Sequence, residues 1–227
     1  MFANRLVSAQ ESFASFNPDY IDSPFYTNHD MGRSAGYYSN DYALQQVKMA
    51  QGMNLLMSGS AFLYYGEEIG MRGSGRDENK RAPMYWSTDE TMKGLCDGPK
   101  DMEKFDMKYP SLAEQEVDGN SIYHFVKQAI LLRNQFPALS HGVVEVDEAL
   151  MEDKSIGAMK KTYGDEEVLL IYNLAAESKT VDLSAVTCMD GELKISGVLL
   201  TSAEDIIVDE NVVTMPAYSV IVLTKVQ

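Results

Sequence analysis

The sequence changes its pattern once, near "FPALSHG" at residues 136 to 142, and that change constrains the fold more than anything else in the chain. Before it, helical and strand patterns alternate. After it come "AMKKTYG", "EVLLIYNL", "KTVDL", "ELKISGVLL", "EDIIVDE", "NVVTMPAY" and "SVIVLTK", short β-rich runs separated by Gly, Asp, Asn and Pro. Such spacing predicts an antiparallel sandwich or sheet domain. With 227 residues and 45% apolar content, the chain can bury two cores. The expected division is 1–139 as α/β and 140–227 as all-β.

Within the first region, "DSPFYTN" reads as a short apolar-aromatic strand. A helix follows from Asn40 or Asp41, with Leu44, Val47, Ala50, Met53 and Met57 at helical spacing, and stops at Ser58-Gly59. "SAFLYYG" is a continuous apolar run bounded by glycines, too short for a buried helix, and predicts a strand buried on both faces. A long polar loop spans about 67 to 119. A second helix runs from about Asn120 to Phe136, with Ile122, Phe125, Ala129, Leu132 and Phe136 on one face, ended by Pro137. The order α-β-α-β-loop-α implies parallel strands joined by helical crossovers.

A formal charge of −15 disfavours a nucleic-acid backbone or an anionic membrane surface and fits a neutral ligand. No apolar run reaches the roughly 18 residues of a membrane span. The start, "MFANRLVSAQESFASF", has no basic region followed by an apolar stretch, so a signal peptide is not expected; it reads as an amphipathic helix entered abruptly. Cys96 and Cys188 share no metal-type spacing and are expected as free thiols. The abundant Met and Tyr residues read as core and loop packing.

Asn28-His29-Asp30 ends the first predicted strand, where parallel sheets bind ligands. A histidine donor beside an ionised carboxylate could grip vicinal hydroxyls and stabilise a developing positive charge. The same residues also suit a turn or helix cap. Glu67 and Glu68 resemble a catalytic pair, but neighbours leaving a strand point in opposite directions and cannot face each other across one bond. "RGSG" lacks the Lys-Ser/Thr that completes a phosphate-binding loop. Asp77 and Arg81 could hold one sugar ring between them, or be solvated surface charge. His124 and His141 have no partner at ligand spacing, so no metal is assigned.

Four segments, "PFYTNHDMGR", "GSAFLYYGEEIGM", "RDENKRAPMYW" and "SIYHFVKQAILLRNQFPAL", occur in order over about 22 to 142. Together they resemble the C-terminal half of the α-amylase family of glycoside hydrolases (family 13). The resemblance implies the end of a (β/α)8 barrel, with the sixth helix and strands seven and eight with their helices, followed by the family's C-terminal β-sandwich. It implies His29 as a substrate-binding histidine and Asp30 as the third catalytic carboxylate. Asp77 and Arg81 would hold the same sugar ring, and Arg33, which matches a frequent arginine of this motif, is implied as a further substrate-binding residue.

A retaining mechanism needs a nucleophile and a general acid about 5 to 5.5 Å apart. In the family these lie on strands four and five, upstream of the "NHD" segment, and the 27 residues before Asn28 contain neither motif. The resemblance therefore implies a fragment of a retaining hydrolase of α-linked glucans, of α-amylase or α-glucosidase type, inactive alone and with its natural start upstream. The alternative is a non-catalytic sugar-binding or partner-binding module on the same fold. No cofactor is assigned to this chain, although a complete parent admits calcium. The cut barrel edge is expected to drive self-association.

Overall fold

The computed structural model describes residues 2–89, 91 and 96–226. The chain divides into two compact units. One comprises Met1–Ser23, Leu56–Ser60 and Ile130–Gln227; the other comprises Pro24–Leu55 and Ala61–Ala129. The elements in chain order are α1 (Phe2–Phe16), α2 (Ala43–Leu55), α3 (Asp77–Lys80), α4 (Leu112–Gln115), α5 (Ile122–Gln135) and α6 (Pro137–His141). Eight strands follow: β1 (Val143–Val146), β2 (Ile156–Tyr163), β3 (Glu166–Asn173), β4 (Lys179–Asp182), β5 (Leu193–Leu200), β6 (Ile207–Asp209), β7 (Val212–Met215) and β8 (Ser219–Lys225). Among the described residues no helix is long and apolar enough to cross a membrane.

In the first unit, five strands form an antiparallel sheet in the order β1-β2-β3-β8-β5, and three more form a second sheet in the order β4-β7-β6. All seven expected β-runs form strands, and β1 is an eighth that sequence reading passed over. The centre of the large sheet is β3 paired with β8, with Ile171 opposite Ile221 and Leu170 opposite Val222. Val168 to Tyr172 and Val220 to Leu223 are fully buried. These strands therefore read as continuous apolar runs instead of alternating ones, the pattern of a strand covered on both faces. The ring of Tyr172 meets Phe2 of α1 edge-on, and a side chain added at Gly197 of β5 would collide with Leu132 of α5.

Two polar devices hold this unit. The outer edge of β1 is closed by Gln10 of α1, whose amide accepts from Val144 N at 2.7 Å and donates to Val144 O at 3.2 Å. Closing an edge this way removes a template for foreign strand pairing. Lys161 of β2 is wholly enclosed and donates to Leu56 O (2.5 Å), Leu139 O (2.8 Å) and Ser58 Oγ (3.1 Å). Three accepting oxygens match the three N–H groups of an ammonium. Burial, and after it the Arg133 charge, still pulls its pKa down to about 7.

In the second unit, the two predicted parallel strands are much reduced. They form one parallel bridge between Phe25 and Phe62, with Phe62 N donating to Pro24 O and Ser60 N to Asp22 O, each at 2.8 Å. "SAFLYYG" is not buried on both faces as expected: Phe62 is 60% exposed, and none of 61 to 65 is buried. A two-stranded parallel pair is weakly stabilised, and among the described residues each of these has only the other as a strand partner.

Helix α2 also differs from expectation. Leu44 faces solvent, and the buried side carries Ala43, Val47, Lys48, Gln51 and Asn54. Apolar spacing alone misplaced the face because three of the eight residues this helix buries are polar, Lys48, Gln51 and Asn54. Asn40 lies three residues before its start, in the turn that leads into it, its side chain accepting from Tyr42 N at 2.9 Å. Helix α5 buries the face expected of it, Ile122, Phe125, Ala129 and Leu132, followed by Phe136. Pro137 then opens α6 at its first turn, where a missing N–H costs nothing.

The long 67–119 stretch carries its own apolar cluster of Ile69, Met71 and Ala82, packed by Met84, Tyr85, Met102 and Met107 among others. Its α4 starts with a capping box in which Ser111 and Glu114 bond reciprocally. Cys96 and Cys188 are free thiols.

Candidate active site

The candidate site is built from two turns of the second unit. In the first, Asn28 Oδ1 accepts from Asp30 N (2.9 Å) and Met31 N (3.1 Å). That Asx turn puts His29 and Asp30 at its tip, so the turn and the exposed chemistry are one feature, not rival readings. His29 Nε2 lies 3.4 Å from Asp30 Oδ2, and both side chains are more than half exposed.

In the second turn, α3 places Asp77 and Arg81 one helical turn apart, and both face the first turn. Arg81 Nη2 stands 3.5 Å from Asp30 Oδ1, and its Nη1 stands 3.7 Å from Asp77 Oδ2. Lys80 completes the cluster, donating to Asp77 Oδ1 at 3.0 Å and to the main-chain oxygen of Asp30 at 2.9 Å. The hydrogen bond and charge of Lys80, then Arg81, hold the Asp77 carboxyl below the usual carboxylate range.

Exposed ion pairs contribute little to stability. At 3.4 to 3.7 Å these are also looser than the bidentate pairs arginine forms with carboxylates. Two carboxylates, a guanidinium and an imidazole thus share one exposed patch with hydrogen-bonding capacity left over. The arrangement suits a polyhydroxylated neutral ligand, whose hydroxyls both donate and accept.

Arg33 sits differently from the other residues grouped with it. It is wholly buried, its guanidinium packed against the rings of Tyr64 (4.7 Å) and Tyr65 (4.6 Å), which themselves meet edge-on. Its Nε donates to Lys80 O (3.1 Å), its Nη1 to Tyr65 O (2.5 Å), and its main-chain N to Gly73 O (2.9 Å). The substrate contact implied for Arg33 finds no exposed surface here. Instead the side chain ties three segments together, a cation held by two aromatic faces. Gly66 permits the approach: its φ is +81°, and a Cβ there would meet Met71 and Arg33.

Glu67 does not pair with Glu68. It is buried under the first turn, accepting from Ser34 N (3.3 Å), from Ser34 Oγ and from Gln51 Nε2 (2.9 Å). Burial raises its pKa, opposed by the Ser34 bonds and the Arg33 charge. Beside it, Tyr37 OH donates to Gly32 O at 2.5 Å, and Tyr26 and Tyr38 share a 2.7 Å hydroxyl contact.

Sequence reading gave no role to Lys80, Gln51 or Ser34, and it weighed Glu67 only as a partner of Glu68. The spacing of Asp77 to Lys80, three residues in a helical turn, was the one signal that could have found Lys80. The other three are polar groups buried by tertiary packing, which spacing does not report. His124 bonds locally, its Nδ1 3.1 Å from both Ser121 Oγ and Gln115 O, and His141 packs on Tyr163. Among the described residues no group of three or more His, Cys, Asp or Glu could hold a metal ion.

Residues 3–142 match the model of the α-amylase catalytic domain, and residues 156–222 match the C-terminal domain of the α-amylase SusG. The chain is 33% identical over 167 residues to Alpha-amylase 3 of Dictyoglomus thermophilum, covering 73% of this chain and 32% of that protein. It is 27% identical over 190 residues to Alpha-amylase SusG of Bacteroides thetaiotaomicron, covering 81% of this chain and 27% of that protein. Among solved structures, Eubacterium rectale Amy13B superposes with a TM-score of 0.92 at 43% identity, over 99% of this chain and 43% of that one. The chain thus spans about a third of these curated relatives.

Proposed function

Because this chain belongs to the α-amylase family of glycoside hydrolases, we propose that it supplies half of the active site of a retaining hydrolase acting on α-linked glucans. The supporting observation is the exposed convergence of Asp30, Arg81 and Asp77 within 3.7 Å contacts, with His29 against Asp30. Relatives named α-amylases support the substrate class. Asp30 and Asp77 accept hydroxyls of one sugar ring, while His29 and Arg81 donate to them. As that ring becomes oxocarbenium-like, the Asp30 carboxylate faces a growing positive charge, so its contribution is larger in the transition state than in the ground state. Arg33 serves as a strut beneath the site.

Neither nucleophile nor general acid is supplied by this chain, and alone it does not hydrolyse glucans. Residues 1–139 form the end of the catalytic barrel and 140–227 the C-terminal sandwich domain. The open sides of the Phe25 and Phe62 strands pair with a second copy of the chain.

Co-expression with the upstream barrel half of a relative tests the reading. Expected is hydrolysis of maltoheptaose that appears only with both polypeptides, with Asp30→Asn lowering kcat far more than it raises KM. Hydrolysis by this chain alone, or full kcat in Asp30→Asn, would overturn it.

A further inference from the structure

Lys80 differs from every other charged group in the cluster, because it is buried while its partners are exposed. Its main-chain oxygen is held by Arg33 Nε at 3.1 Å and by Tyr64 OH at 3.4 Å. The loop around it is fixed from the other side: Asn79 bonds Ser74 O (2.9 Å) and Glu103 (2.8 Å and 3.0 Å), and a Cβ at Gly73 would strike Asn79 O. Its backbone is therefore anchored before the ammonium does anything, and its stem is enclosed, so little rotamer freedom remains to be lost.

From that anchored stem the ammonium reaches two parts of the site at once, the main-chain oxygen of Asp30 and the Asp77 carboxylate. The contacts through Arg81 are exposed and longer, so the spacing between the Asp30 and Asp77 carboxylates rests chiefly on Lys80. We propose that Lys80 is a positioning residue that clamps the Asp30 turn to the Asp77–Arg81 turn and so sets the ring-binding geometry for an α-linked glucose residue. Asp77 Oδ1 is occupied by the clamp, which leaves Oδ2 to share between Arg81 and a sugar hydroxyl. The proposal rests on the reading of Asp30 and Asp77 as ring-binding groups.

The test uses the full chain as wild type, Lys80→Met, Lys80→Arg and Asp30→Asn, each confirmed as folded by the dispersion of its amide spectrum. Three quantities are read by NMR: the Asp77 carboxyl titration, amide exchange at Asp30, and the Kd for maltotriose. Lys80→Met keeps the buried stem, and it is expected to move the Asp77 titration up toward the ordinary carboxylate range, with Arg81 still holding part of the shift, and to speed exchange at Asp30. It should also weaken maltotriose binding about fivefold, as expected for a partly screened charge-assisted bond. Lys80→Arg should restore the titration and part of the affinity. Asp30→Asn should weaken binding without returning Asp77 to the ordinary range. If Asp30→Asn weakens binding and Lys80→Met changes neither affinity nor the Asp77 titration, the clamp is overturned. A wild type that binds no maltotriose overturns the ring-binding reading, and with it the sugar role of Lys80, while the titration still decides whether the clamp exists.

Discussion

Strand β3 and the "SAFLYYG" segment look alike in sequence, both short, apolar and bounded by turn residues, yet they end in opposite environments. Val168 to Tyr172 of β3 are fully buried between β2 and β8, whereas Phe62 is 60% exposed and joins Phe25 in a single bridge. Strand β3 has antiparallel neighbours within the chain, β2 through a tight turn and β8 by return of the C-terminus. The parallel segment depends on partners that a helical crossover or another polypeptide must bring. An apolar run states that it must be covered. Topology decides by what.

The largest effect that could break this comparison is a core truncation. Ile171→Ala should destabilise by about 2 to 5 kcal/mol, since it opens a cavity in a packed interior. Urea unfolding that gave under about 1 kcal/mol would mean that β3 is no better covered than Phe62.

Lys161 gives the next effect, through pH. Its folded pKa of about 7 lies below its ordinary 10.5. Between these values the unfolded chain binds a proton that the folded chain does not, so stability rises with pH through that window, by at most about 1.4 kcal/mol per pH unit. The rise should be missing in Lys161→Met, read as the difference between the two proteins' urea midpoints from pH 7 to pH 10. Parallel curves would show that the three oxygens around Nζ hold the charged form as well as water does.

Smaller still is the edge closure by Gln10. Gln10→Ala leaves Val144 N and O without their partner and should cost about 1 to 2 kcal/mol. If α1 only lies beside β1, the loss will be a few tenths. The Lys161 and Gln10 contacts sharpen the domain proposal as well. A chain cut to 140–227 loses Leu56, Ser58, Leu139 and α1, and it should still melt cooperatively but at a lower temperature than the whole chain.

The smallest stability change belongs to Phe62→Ala, expected within about 0.5 kcal/mol because the ring is mostly solvated. Its consequence should lie in association instead. Light scattering at micromolar concentration should show an oligomer for the wild type and a smaller species for Phe62→Glu. A monomeric wild type would remove self-association from the reading.

Much of the candidate site was legible. His29, Asp30, Asp77 and Arg81 stood out because charged and amide residues gathered where predicted strands ended, and the structure brings these four together. Lys80 was hidden in a run of charges, "RDENKR", where nothing local separates a buried lysine from solvated ones. Arg33 was visible, but its burial against two tyrosines was not. The face of α2 was misjudged for the same reason: Gln51 and Asn54 are buried because Glu67 and the Phe62 main-chain oxygen wait for them.

By itself the sequence determined the family, the change from α/β to β-rich patterning, the antiparallel runs and the polar turns that carry the site. These are written in local periodicity and in turn chemistry, which act between residues close in the chain. Only the tertiary structure decided that Arg33 is a strut and that Lys80 joins two turns 50 residues apart. It also decided that Glu67 holds Ser34 and Gln51 from below, and that Gln10 closes the edge at Val144. Each of these depends on which polar groups lose water on folding, and a buried polar group must find its partner wherever the fold happens to place one.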